Sequence, residues 1–283
     1  MTILITGGTG TTGGALARLL RERGEPIRIA SRHPVEHDPS HVHFDLTDPA
    51  TFPAALAGVR QLYLLPPTVR ADQLATIQPF LAAVKAAGVR RIVLLSSAID
   101  GVPGQDAVHK AVADTAPEWA ILRPSWFMQN FIGAHPTAAA IRERGEIANA
   151  TGTGKLGFID AEDIAAVAAE VLLMDSAPNA EYLLTGPETL SYADAAALIS
   201  EVAGYPVRFV PITRQQSIDR WLAAGIPEAM AAYATEVDLA IANGSQDWLS
   251  PAVLEVTGRP PRSLREFLAA HRSVWQTTET AAS

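Results

Sequence analysis

Residues 3–14 read Ile-Leu-Ile-Thr-Gly-Gly-Thr-Gly-Thr-Thr-Gly-Gly, and this stretch constrains the fold more than any other in the chain. Three apolar residues run into a turn carrying Gly7, Gly10 and Gly13. An amphipathic segment follows, with Ala15, Leu16, Leu19 and Leu20 on one face and Arg18, Arg21 and Glu22 elsewhere. A strand, a glycine turn and a helix start in this order form an anion cradle. Backbone N–H groups and the positive end of the helix dipole point at the anion, and glycine lets the backbone come close to it. The spacing is Gly-x-x-Gly-x-x-Gly rather than Gly-x-Gly-x-x-Gly, and a tight βα turn without a ligand uses the same residues. The second strand arriving on schedule favours a dinucleotide pyrophosphate.

Short apolar runs then alternate with helical patterns. Strands are expected at Thr2–Thr6, Ile27–Ser31, Val42–Asp45, Gln61–Leu65, Arg91–Ser96 and Trp119–Arg123. Helices are expected at Gly14–Arg23, Ala50–Ala57, Ala71–Ala87 and His109–Thr115. Apolar strands alternating with helices imply a parallel sheet covered on both faces, an α/β fold of the Rossmann-type doubly wound kind. Such sheets bind ligands at the carboxyl ends of their strands.

After Pro124 the rhythm changes. Trp126–Phe131 is bulky and aromatic, and Arg142–Gly157 reads as a loop or short hairpin. Asp160–Leu173 reads as a helix with Asp160 as N-cap, Glu181–Thr185 as a strand, Ser191–Ala203 as a helix capped by Ser191, and Val207–Pro211 as a strand. Helical sequence runs on to about Tyr233, then over Asp247–Thr257 and Leu264–Trp275, and the tail Gln276–Ser283 reads as polar and frayed. The expected division is a cofactor-binding core over residues 1–125, with later segments returning at about 151–185, and a smaller substrate-binding lobe over 126–283.

Composition narrows the function. The chain has 283 residues, 48% of them apolar, enough for a sizeable core. Its net charge is −8 and no lysine–arginine run occurs, which argues against nucleic acid as a partner. Cysteine is absent, excluding disulfides and thiolate chemistry. No apolar run approaches the roughly 18 residues of a membrane span, and the start goes straight into strand-like sequence, so a soluble cytoplasmic protein acting on a small molecule is expected, its oligomeric state open. His33, His37, His41 and His43 crowd one stretch with Asp38. They sit in a proline-bearing loop without the i, i+4 spacing of zinc helices, and no metal is expected.

The carboxyl ends of the strands supply the cofactor residues. Thr6, Gly7, Gly8, Thr9, Gly10, Thr11, Thr12 and Gly13 form the phosphate turn. The second strand ends in Ser31-Arg32, where NAD-selective folds place an acid; the next acid, Glu36, is already in the loop. A guanidinium there matches a 2′-phosphate through its planar donor fork, so NADP(H) is favoured over NAD(H). The alternative is an ordinary surface arginine. Asp45-Leu46 ends the third strand and either flanks the adenine or belongs to a helix cap near Asp48. Leu65, Pro66 and Pro67 end the fourth, where the prolines leave the sheet and turn the backbone towards the cofactor ribose.

Taken together, Thr6–Gly13, Ser31-Arg32, Asp45-Leu46 and Ser96-Ser97 resemble the atypical short-chain dehydrogenase/reductases. Leu122-Arg-Pro-Ser-Trp-Phe-Met-Gln-Asn130, Phe158-Ile-Asp-Ala-Glu-Asp-Ile-Ala165, Leu184-Thr-Gly-Pro-Glu188 and Val256–Phe267 sharpen the resemblance to the NmrA-like branch. That branch includes NADPH quinone reductases, ergot-alkaloid iminium reductases and redox-sensing regulators. The resemblance implies an active-site serine at Ser96 or Ser97 and a ribose-binding or proton-donating lysine at Lys110. The usual Tyr-x-x-x-Lys pair is broken, because Asp106 stands four residues before Lys110.

The candidate catalytic residues are therefore Lys110, His109 and Ser97, with Ser96 and Lys110 also facing the cofactor. His109 is either a proton donor, its ordinary pKa being near 6.5, or a histidine bonded to backbone. Trp126, Phe127 and Asn130 are expected to wall a flat apolar substrate pocket, with core packing the alternative reading for Phe127. The expected activity is hydride transfer from NADPH to a small apolar electrophile (a quinone, enone or imine/iminium) without the tyrosine acid. The alternative is an NADP(H)-binding sensor without turnover.

Overall fold

The computed structural model describes residues 2–35, 37–67 and 73–275. Glu36, the first two residues of the helix expected from Ala71, and the tail Gln276–Ser283 lie outside the described residues.

In chain order the elements are β1 (Thr2–Thr6), α1 (Thr11–Glu22), β2 (Ile27–Ser31), β3 (His41–His43), α2 (Phe52–Leu56), β4 (Val59–Leu64), α3 (Gln73–Ala86), β5 (Arg91–Leu95), α4 (Gln105–Ala113) and β6 (Glu118–Pro124). They continue with α5 (Pro136–Arg144), β7 (Glu146–Asn149), β8 (Lys155–Leu156), α6 (Ala161–Leu173), β9 (Ala180–Leu184), β10 (Leu190–Ser191), α7 (Tyr192–Ala203) and β11 (Arg208–Pro211). The last helices are α8 (Arg214–Ala223), α9 (Glu228–Ala242), α10 (Ala252–Thr257) and α11 (Leu264–Ala270).

The chain divides into two compact units. The first comprises Met1–Pro124, Ala161–Leu184 and Ala252–Arg259. Its centre is a seven-stranded sheet in the order β3-β2-β1-β4-β5-β6-β9, and every neighbouring pair is parallel. This is the expected Rossmann-type fold, with the strand order reversing between β1 and β4. The strands are buried because they are apolar on both faces: Ile3, Leu4, Ile5, Leu62, Tyr63, Ile92, Val93 and Leu94 are at most 1% exposed. On one side Phe44, Phe52 and Phe80 pack with ring centroids 4.8–5.8 Å apart. Alanine-rich α6 packs against α1 and α10, and Arg23 pairs with Glu170 at 2.6 Å between the first two of these helices.

A buried ion pair locks this unit. Arg91 on β5 donates from Nε to Glu118 Oε2 at 2.7 Å, while its NH1 reaches the carbonyls of Val171, Leu172 and Met174 at 2.6–2.9 Å. These carbonyls end α6 and have no partner within the helix, so a guanidinium there satisfies them and complements the helix dipole.

The second unit comprises Ser125–Asp160, Thr185–Pro251 and Pro260–Ser283. Its core gathers Met128, Phe131, Ile141, Phe158, Tyr192, Ile199, Phe267 and Trp275. The loop or hairpin expected over Arg142–Gly157 is not what forms. β7 pairs in parallel with β11, and β8 pairs antiparallel with β10, so each strand finds a partner distant in sequence. Helix α5 was not expected at all. His135 caps it by accepting from Thr137 N at 3.1 Å, Pro136 opens it, and Gly145 closes it in the left-handed conformation. No helix among the described residues is long and apolar enough to cross a membrane.

Candidate functional site

The glycine turn is built by three short contacts. Gly7 takes a left-handed φ of +64°, and its carbonyl accepts from Gly10 N at 2.9 Å. Gly14 N donates to Gly10 O at 2.8 Å as α1 begins. A Cβ on Gly13 would lie 2.3 Å from Gly7 O, so no side chain fits where the helix passes under the turn. Helix α1 starts at Thr11, three residues earlier than expected, and Gly10 at its N-cap has no side chain with which to cap it. First-turn N–H groups of this kind suit an anion. Thr6 ties the turn to β4: its hydroxyl donates to Tyr63 O at 3.2 Å and accepts from Leu65 N at 2.7 Å. Tyr63 OH donates to Thr12 Oγ1 at 3.2 Å. Burial pushes the Tyr63 phenol up, so it stays a neutral donor at the start of α1.

A cleft of about 490 Å³ opens at the carboxyl ends of β1 to β4. Thr6, Gly7, Thr9, Ser31, Arg32, Asp45, Leu46, Leu65, Pro66 and Pro67 line it. The structure thus gathers in one cleft the residues expected at four strand ends. Arg32 is exposed, and Ser31 Oγ turns back to accept from His33 N at 3.1 Å. The N–H and hydroxyl of Thr47, at 2.8 and 2.7 Å, hold the Asp45 carboxyl below the usual carboxylate range, and the Arg32 charge adds to this. The separate helix-cap role falls to Asp48, which accepts from Ala50 N at 3.0 Å. Among the clustered histidines, His43 Nδ1 lies 3.2 Å from Arg32 O, and His41 Nδ1 accepts from Val35 N at 3.3 Å.

A dinucleotide fits the residues present. The uncapped helix start and the Gly7–Gly13 contact leave space and N–H donors for a pyrophosphate, and Arg32 supplies a cation lining the same cleft.

Next along the sheet, the end of β5 carries a second cluster. Ser96 Oγ lies 2.7 Å from His109 Nε2, and His109 Nδ1 lies 3.2 Å from Glu181 Oε1. Arg123 NH1 reaches Glu181 Oε2 at 3.0 Å, NH2 reaches Asp100 at 2.7 Å, and Nε donates to Ser97 O at 3.1 Å. His109 is only 7% exposed. Burial pushes its pKa down, while Glu181 opposes that shift. Of the two readings open for His109, the ring is bonded to side chains, not to backbone. Ser97 Oγ instead accepts from Ile99 N at 3.1 Å, so Ser96 is the serine coupled to the imidazole.

Lys110 is not brought to this cluster. Its side chain is 76% exposed and pairs with Asp114 at 2.7 Å on the outer face of α4. One residue along a helix turns the side chain by about 100°, so His109 inside places Lys110 outside. Asp106 is exposed as well. Glu181 was missed as a site residue; its only signal is a carboxylate inside an otherwise apolar strand.

The second unit holds a cavity of about 330 Å³. Trp126 and Asn130 line it, with Trp221, Tyr192, His135 and Asp238. Phe127 does not line it and instead forms an isolated bridge with Ile159. Asp238 accepts from Ala150 N at 3.3 Å, and burial pushes its carboxyl up to about 6. Burial also lowers the pKa of His135.

The model of the NmrA-like family matches residues 1–253. The chain belongs to the NmrA-like family. Among its relatives, the uncharacterized oxidoreductase YesF of Bacillus subtilis is 42% identical over 276 residues, covering 96% of each chain. An NAD(P)H azoreductase of Xenophilus azovorans is 36% identical, covering 96% of this chain and 99% of its own. Among solved structures, the NADPH-dependent quinone oxidoreductase of Escherichia coli, complexed with NADPH, superposes with a TM-score of 0.82. It is 24% identical, over 96% of this chain and 99% of that one, and the likeness shows a shared fold.

Proposed function

We propose that this NmrA-like protein is an NADP(H)-dependent oxidoreductase that reduces a small apolar electrophile: a quinone, an enone or an imine/iminium. One observation carries the cofactor: the glycine turn at the start of α1 and Arg32 line the same cleft. The turn residues Thr6–Gly13 hold the pyrophosphate through backbone N–H groups, and Arg32 binds the 2′-phosphate with its donor fork. Asp45, Leu46 and Leu65–Pro67 flank the adenosine half. When bound, the cofactor supplies a hydride to the acceptor. The azoreductase and quinone reductase names among the relatives support reduction of conjugated acceptors.

In this reading the first unit is the cofactor domain and the second the substrate lobe. Trp126 offers a stacking face to a flat acceptor and Asn130 an amide for its polar edge; both line the cavity of the second unit. An acceptor that is already electrophilic fits the lack of a tyrosine four residues before Lys110. The reading also places the protein in the cytoplasm.

The test follows NADPH absorbance against a panel of quinones, enones and imines. Turnover with at least one class is the expected result. Tight NADPH binding with no turnover across the panel would overturn the enzyme and leave the redox-sensor reading.

A further inference from the structure

The Ser96–His109–Glu181 cluster has the order of a proton relay: a hydroxyl, an imidazole in contact with it, and a carboxylate on the far ring nitrogen. Three elements assemble it. Ser96 follows β5, with its N–H still bonded to Leu122 O at 2.8 Å. His109 comes from the inner face of α4, and Glu181 from β9 at the sheet edge. A carboxylate at Nδ1 fixes the tautomer and leaves Nε2 facing the hydroxyl.

The location carries the argument further. In a doubly wound sheet a dinucleotide lies across the carboxyl ends of the strands on either side of the switch point. The cleft lined by Arg32 occupies the ends of β1, β2, β3 and β4. A dinucleotide bound there would continue towards the end of β5, the next strand of the sheet, and Ser96 is the first residue beyond that strand. Ser96 is half-buried, whereas His109 is buried.

We propose that Ser96, His109 and Glu181 form a proton relay that takes the place of the aromatic general acid, with Ser96 as the catalytic residue and Glu181 as a positioning residue. The relay rests on the reductase reading above. The acceptor gains two electrons as hydride at its electrophilic atom and a proton from Ser96 Oγ at its oxygen or nitrogen. As that O–H bond breaks, Ser96 Oγ takes the Nε2 proton of the imidazolium. His109 is left neutral, with its Nδ1–H on Glu181. After product leaves, a proton from solvent returns through the serine hydroxyl to Nε2. Arg123 holds Glu181 from the other side and is itself tethered by Asp100, which fixes the carboxylate towards the ring.

The charged groups facing His109 are Glu181 on β9, Arg123 on β6 and Asp106 on its own helix. Burial and Arg123 disfavour the imidazolium, whereas Glu181 and Asp106 favour it. Because the imidazolium is the active form, kcat is highest at low pH and falls as pH rises through the depressed pKa of His109.

The experiment measures kcat for an enone against pH in the wild type, Ser96→Ala, His109→Gln and Glu181→Gln, with NADPH affinity by fluorescence titration as the check on folding. Ser96→Ala and His109→Gln are expected to lose roughly 100-fold or more in kcat and to lose the pH dependence. The same two variants should lose much less with an N-alkylated iminium, which needs no proton. Glu181→Gln should move the midpoint of the pH profile to lower pH, a change that a merely structural role would not produce. Ser96→Thr, which keeps the hydroxyl, should retain the wild-type profile. An unchanged midpoint in Glu181→Gln, or equal losses on enone and iminium, overturns the relay. A wild type that binds NADPH but reduces neither the enone nor the iminium overturns the reductase reading itself, and the relay with it.

Discussion

Gly13 and Gly7 touch across the turn that opens the chain: a Cβ on Gly13 would stand 2.3 Å from the Gly7 carbonyl oxygen. The obstacle is backbone, not the end of a flexible side chain, so the turn itself must open to admit even a methyl group. Gly13→Ala should therefore cost roughly 1–3 kcal/mol of stability and weaken NADPH binding about tenfold or more, since the N–H groups leave their places. Thermal unfolding and a fluorescence titration read the two effects, and unchanged affinity would contradict the cradle.

Arg32 tests the choice of dinucleotide. Arg32→Asp replaces a phosphate-binding fork with a charge that repels phosphate. Hydrogen bonds to charged groups contribute about 1.5–3 kcal/mol, so NADPH affinity should fall roughly 10- to 100-fold. NADH affinity should change little. Equal losses for the two cofactors would show Arg32 to be an ordinary surface residue.

Arg91 tests the lock on the sheet. Arg91→Leu takes the buried guanidinium from Glu118, 8% exposed, leaving it Arg90 and the Ala177 N–H, and frees the carbonyls of Val171 and Met174, while Leu172 O keeps Gln61. Removing one member of a buried pair costs up to about 3–5 kcal/mol, and less where the charge left behind keeps another partner. The urea midpoint should fall accordingly, and a loss below about 1 kcal/mol would mean that water reaches the site.

Asp238 makes stability depend on pH. Its carboxyl is raised to about 6 in the folded protein, against an ordinary 3.8. Folding thus favours the protonated form, and the contribution present below pH ~4 is lost as pH rises through about 6. Asp238→Asn should be stabilising at pH 8 relative to the wild type, by on the order of 2 kcal/mol, with the difference shrinking as pH falls towards 4. Melting temperatures across that range check it, and a difference independent of pH would contradict the assignment.

How much was legible follows from how local each signal is. β1 and β2 were expected at Thr2–Thr6 and Ile27–Ser31, their observed bounds, because each apolar run ends at a turn residue. The Ser191 cap was legible because a capping box is local; the structure adds its partner Asp194. The third strand stops at His43, not Asp45, because the Asp45 side chain takes the Thr47 N–H and turns the chain. Helix α4 begins at Gln105, four residues before the expected start, after a left-handed Gly104. β7 and β8 were read as a loop or hairpin because their partners, β11 and β10, lie tens of residues further along the chain.

By itself the sequence determined the alternating α/β order, the phosphate turn and the cation at the end of the second strand. Each depends on neighbours within a few residues, where propensity, periodicity and glycine's conformational freedom act directly. Only the tertiary structure decided that Ser96 rather than Ser97 meets His109, that Lys110 points away, and that Glu181 closes the far side of the ring. Those facts depend on the angle at which α4 lies on the sheet and on β9 joining its edge beside β6, contacts spanning 13 and 72 residues. No local pattern encodes such distances; packing of the whole sheet sets them.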